Sequence, residues 1–127
     1  MTSRSVTWAG RIASGLVVLF LLFDGVIKVL RLPFAVEATT QLGYPAGAVF
    51  PIGVVELACL ALYAIPRTSV LGAILLTCHL GGAVATHLRA GSPLLGYTLF
   101  PLYVAAVLWG GLYLRNARLR MVVPITR

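Results

Sequence analysis

Asp24 and Lys28 stand four residues apart inside an apolar run, a spacing that puts a carboxylate and an ammonium on one helix face and lets them pair. Arg31 extends the same stripe by one turn. Glu56 lies within a second apolar run and His79 within a third, which His87 and Arg89 close. A carboxylate kept ionised by Lys28 can act as a base or orient a substrate. Glu56 has no local partner, so it is either neutral, as a proton donor must be, or bonded across helices. Glu56, Asp24 and His79 are therefore the candidate acid/base groups, and Lys28, His87 and Arg89 the candidate groups for holding substrate or cofactor. Structural roles compete at each position: a self-neutralised pair at Asp24–Lys28, an interhelical staple at Glu56, a hydrogen-bonding imidazole at His79, and an arginine snorkelling to lipid headgroups at Arg89.

The elements that carry these groups follow from composition. Of 127 residues, 60% are hydrophobic and only 10% are charged, whereas a soluble domain carries about 25% charged residues. Mean hydropathy is +0.99. So few charges cannot coat a small globule. The composition excludes a soluble enzyme, a disordered tail and a disulfide-stapled secreted domain, and it makes the lipid bilayer the solvent. Each span takes about 20 apolar residues, so the length allows four or five. The apolar stretches are continuous rather than alternating, which selects helices over a barrel.

Four spans are predicted, at about 12–30, 48–65, 70–88 and 94–114, in one domain over residues 1–127. The first could pass for a signal peptide, but no small-x-small cleavage site follows and the helical pattern continues through Asp24–Lys28, so it reads as a retained span. Leu32-Pro33 ends it. Residues 33–47 read as a connection closed by Leu42-Gly43-Tyr44-Pro45. Pro66-Arg67-Thr68-Ser69 makes spans two and three an antiparallel hairpin, with Thr68 or Ser69 capping the following helix. The fold class is all-α, a four-helix transmembrane bundle.

Net charge is +7, from nine arginines and one lysine against three acids. The arginines cluster at the ends of apolar runs, which fits headgroup contact and topology control rather than nucleic acid. Arg4, Arg11, Arg67, Arg115, Arg118, Arg120 and Arg127 share one side, against Lys28, Arg31 and Arg89 on the other. That asymmetry places both termini in the cytoplasm. Trp8, Trp109 and Tyr113 suit an interfacial belt on that side. Asp24, Lys28, Glu56, His79, His87 and Arg89 then all fall in the outer half, where they can line one cavity, and the inner half reads as nearly bare. On the third span Gly72, Leu75, Leu76, Gly82 and Thr86 share the face of His79, and Gly81, Gly82, Ala83 and Ala85 are small enough for another helix to approach closely. No HExxH, GxSxG, Walker or dinucleotide motif occurs. No metal ligand is assigned, and Cys59 and Cys78 read as free small hydrophobes.

Gly25-x-x-Lys28, Leu42-Gly43-Tyr44-Pro45 and Gly53-x-x-Glu56-Leu57 resemble the DoxX-like family of small bacterial membrane proteins. Leu62-Tyr63-Ala-Ile-Pro66-Arg67-Thr68-Ser69 and Gly81-Gly82-Ala83-Val-Ala85-Thr86-His87-Leu-Arg89 extend the likeness, as do Trp109 and the basic Arg115, Arg118 and Arg120. Glu56, His87 and Arg89 match the family pattern, whereas His79 stands outside it. The resemblance implies a four-helix protein of the bacterial inner membrane. Because the family is named from a subunit of a thiosulfate–quinone oxidoreductase, it also implies a redox-linked or quinone-associated component, with a soluble or membrane oxidoreductase as partner and quinone or haem as the cofactor types. Two other readings stand beside it: a small membrane isomerase or hydrolase acting on a lipophilic substrate, and a non-catalytic scaffold or lipid-binding module. A homo-oligomer is compatible with all three.

Overall fold

The structure, a computed structural model, describes residues 4–122. Among these it is helical throughout, with no strand. Helix α1 spans Arg4–Val29, α2 Pro33–Gln41, α3 Val49–Ala64, α4 Ser69–Ala90, α5 Phe100–Arg115 and α6 Ala117–Val122. Short helical turns at Ala46–Ala48, Pro66–Thr68 and Leu94–Thr98 precede α3, α4 and α5. Four segments are long and apolar enough to cross a membrane: Arg4–Val29, Ala46–Ala64, Pro66–Ala90 and Leu94–Arg115. The predicted spans match these, except that α1 begins two turns earlier, at Arg4 instead of Ile12.

The four long helices form a square in which α1 packs on α3 and α5, and α4 packs on the same two. Helices α1 and α4 therefore occupy one diagonal. Val17, Leu21, Leu60, Leu76, Leu108 and Leu112 fill the centre and are almost fully buried. Ile12, Leu16, Leu19 and Phe23 recur at three- and four-residue steps on the outside of α1, each about 60% exposed. In a bilayer that face meets acyl chains, so apolar composition carries no burial requirement there, and helix contact is decided by packing and small residues. Gly53 shows this: a Cβ there would lie 2.8 Å from Lys28 Cβ and 3.0 Å from the Gly25 carbonyl. Gly72 lies against the Tyr63 and Leu62 backbone with no room for a side chain.

Several connections depart from expectation. Residues 33–47 contain a nine-residue helix, α2, rather than a plain loop. Pro33 sits in its first turn, where a missing N–H costs nothing. Before it, α1 ends in a Schellman arrangement: Leu32 N–H donates to Ile27 O and Arg31 N–H to Lys28 O, with Arg31 at φ +56°. This left-handed residue swings Arg31 off the Asp24–Lys28 stripe, and its guanidinium lies 4.9 Å from the Phe50 ring centroid. Thr68 and Ser69 do not cap α4. Their hydroxyls donate backwards, Thr68 to Leu62 O (2.7 Å) and Ser69 to Tyr63 O (2.7 Å). Those carbonyls end α3 without helical partners, and a bilayer offers them little water. The basic tail forms α6 as far as Val122, while Arg127 lies outside the described residues.

Candidate functional site

Gly53 lets α3 close onto α1, and Glu56, three residues further along α3, comes opposite Lys28. The Lys28 ammonium donates to Asp24 Oδ2 at 2.7 Å and to Glu56 Oε1 at 3.2 Å. On the other side His79 Nε2 lies 3.6 Å from the same Glu56 oxygen. Glu56 is 1% exposed and its second oxygen, Oε2, has no hydrogen-bond partner. One carboxyl on α3 thus links α1 to α4 across the diagonal of the bundle. Asp24, Lys28, Glu56 and His79 come together here. An orphaned buried oxygen carries a desolvation cost of order 1–3 kcal/mol, which sets Glu56 apart from a fully satisfied staple.

Above this cluster α1, α2, α4 and the turn at Leu94–Thr98, with Ile52 of α3, border an open-sided cavity of about 1010 Å³. Asp24, Lys28 and His79 line its floor, Phe34, Ile52 and Ala83 its apolar wall, and His87, Ser92 and Tyr97 its upper rim. Glu56 lies behind Lys28 and His79 and does not face the cavity. An acid/base role for it would have to pass through those two side chains. Gly81 and Gly82 have open space beside them, not a neighbouring helix. Gly82 lines the cavity, so the small residues here make room instead of a close crossing. Leu75 is 37% exposed and points away from the face that Gly72, Leu76 and His79 share.

At the rim His87 Nδ1 lies 3.0 Å from Ser92 Oγ, and its ring stacks near Tyr97 with centroids 6.4 Å apart. Arg89 does not reach this cavity. It is exposed and borders a shallower neighbouring cleft of about 420 Å³ with Gln41, Tyr44 and Thr86. The Tyr44 and Thr86 hydroxyls, 3.0 Å apart, tie the loop after α2 to α4 between the two. Among the described residues no cluster of three or more His, Cys, Asp or Glu side chains could hold a metal ion. Cys59 and Cys78 are free thiols.

The other half of the bundle is not bare. Tyr63, fully buried, donates to Leu108 O (2.9 Å) and shares a 2.9 Å hydrogen bond with Ser14 Oγ. Arg115 Nε donates to that Ser14 oxygen at 2.9 Å, its guanidinium 5.4 Å from the Tyr63 ring centroid. This network binds α1, α3 and α5 beside the termini. Val17, Leu21, Leu60 and Leu76 form an apolar layer that helps separate it from the Glu56 cluster. Trp109, half-buried, donates its indole N–H to Thr77 Oγ1 at 2.6 Å and so ties α5 to α4. Sequence reading passed over Ser14, Tyr63 and Ser92; the available signal was that each places a polar atom in or beside an apolar span that must find a partner.

Four span-length helices around a polar-floored cavity define a small multi-pass membrane protein. The chain belongs to the DoxX-like family, whose sequence profile matches residues 12–111. No curated protein and no solved structure matches it.

Proposed function

We propose that this DoxX-like protein is a redox-linked component of the bacterial inner membrane that holds a small oxygen-bearing lipophile, of the quinone type, in its outer-half cavity. The observation that carries this reading is the floor: Lys28 and His79 offer hydrogen-bond donors beneath an apolar wall, and Asp24 and Glu56 neutralise the ammonium. A ring with carbonyl acceptors fits that donor set. Haem fits less well. His79 Nε2, the ring nitrogen most exposed for a metal, is turned to the Glu56 carboxylate, 3.6 Å away.

When bound, a quinone supplies a couple of two electrons and two protons. The chain's own part is to hold the head group through Lys28 and His79 and to shuttle a proton at His79, whose far partner Glu56 keeps a charge change there compensated. The electrons come from an oxidoreductase partner, soluble or membrane-bound. Both termini face the cytoplasm by the arginine asymmetry, which puts the cavity on the outer side.

Native mass spectrometry of protein extracted in a mild detergent tests this. A retained mass matching a quinone supports the reading. A bare chain, or only phospholipid adducts across several detergents, assigns the polar cluster to a scaffold instead.

A further inference from the structure

We infer that Ser92 and His87 form a nucleophile–base pair at the cavity rim, able to open a lipophilic carboxylic ester. The pair is independent of the redox reading and of the floor cluster, since His87 lies about 12 Å from His79 along α4.

The geometry has three parts. First, Ser92 Oγ lies 3.0 Å from His87 Nδ1, within the reach required of a nucleophile and its base. In the tautomer with the proton on Nε2, Nδ1 accepts the serine O–H. Second, the serine is fixed at both backbone ends. Its N–H donates to His87 O at 3.0 Å, and its carbonyl accepts from Thr98 Oγ1 at 3.1 Å. Thr98 is 2% exposed. Gly91, at φ +76°, makes the left-handed step that turns the chain back so that Ser92 reaches His87. The Tyr97 ring lies roughly parallel to the imidazole, with centroids 6.4 Å apart. Third, both side chains line the large cavity, whose apolar wall leads away beneath them. In a bilayer-spanning helix, the end of α4 beside Arg89 is the interfacial level, where water is available and where lipid ester linkages lie. An acyl chain would occupy the wall with its ester carbonyl at Ser92.

The step balances without a co-reactant other than water. Ser92 Oγ attacks the ester carbon while its proton passes to His87 Nδ1. The C–O bond to the alcohol breaks, and the alkoxide leaves with that proton, giving an acyl-serine. Water then attacks the acyl carbon, gives its proton to His87, and the carboxylic acid departs as the proton returns to Ser92.

The purified full chain in detergent, treated with a fluorophosphonate probe, tests this directly. Wild type should be labelled on Ser92, located by peptide mass spectrometry, S92A should not be labelled, and H87Q should react about 100-fold more slowly. Labelling at Ser92 without any retained quinone, or a retained quinone without labelling, makes the two proposals fail separately. Should S92A not assemble, H87Q carries the test with the serine in place. No labelling of wild type, labelling elsewhere, or H87Q labelled at the wild-type rate overturns the proposal and leaves Ser92 as a helix-end cap.

Discussion

Lys28 Nζ, on α1, lies 2.7 Å from Asp24 and 3.2 Å from Glu56 on α3, so one ammonium is shared by two carboxylates, one of them 1% exposed. The sequence neighbour and the tertiary neighbour compete for the same three N–H donors. Removing Lys28 leaves the buried Glu56 without its ammonium, whereas removing Glu56 leaves Lys28 still paired with Asp24. The two ends of the contact are therefore unequal, and the loss of Lys28 should cost more than that of an ordinary surface ion pair.

K28A should lower stability by about 3–5 kcal/mol, the range for leaving a buried charge uncompensated. E56A should lower it by about 1–3 kcal/mol because Lys28 keeps Asp24, and E56Q by less because an amide oxygen still accepts from Lys28. The double substitution K28M/E56L should be less damaging than the sum of its single changes, since it removes both buried charges together. Thermal unfolding of detergent-solubilised variants measures this. Full additivity would show that the two residues do not interact.

The glycines separate into two kinds. G72A should destabilise by about 1–3 kcal/mol, because the new methyl meets the Tyr63 and Leu62 backbone, which cannot move aside cheaply. G81A should be neutral or stabilise by up to about 1 kcal/mol, since nothing lies near the added methyl and alanine suits a helix interior better. Comparing the two melting temperatures tests whether the α3–α4 crossing is set at Gly72.

Y63F should cost about 1–2 kcal/mol by leaving the Leu108 carbonyl and Ser14 short of a partner. It should leave ligand retention in the opposite half unchanged. A matched fall in stability and binding would contradict the division of the bundle into a structural network beside the termini and a site in the opposite half.

Alkaline phosphatase fused after Arg120 should be inactive and, inserted at Gly43, active, if both termini are cytoplasmic. Activity in the reverse pattern would place the cavity on the inner side.

The spans were legible because apolar runs and prolines mark where a bilayer helix can begin and end, and Asp24–Lys28 was legible because four-residue spacing fixes a helix face. The approach of Glu56 to His79 was not, since one sequence does not set how α3 and α4 rotate about their axes. That rotation is set by Gly53 and Gly72, whose role appears only once the neighbouring backbone is in place. Helix α2 was missed because nine residues with a weak apolar pattern look like a loop. Arg31 departed from its stripe because the stripe argument assumes helical φ, and the chain had already left the helix. The Ser14–Tyr63–Arg115 network joins residues 101 positions apart at its ends, beyond any local spacing rule.

The central claim is that the floor of the cavity lined by Asp24, Lys28 and His79 binds an oxygen-bearing lipophile. Titration of a short-chain quinone into the protein in lipid nanodiscs tests it most directly. Wild type should bind saturably, H79A and K28M should bind at least about 10-fold more weakly, a loss of one hydrogen bond to a charged or polar partner, and R89A should match wild type because Arg89 borders the other cleft. Equal binding by wild type, H79A and K28M, or no saturable binding by wild type, would contradict the account.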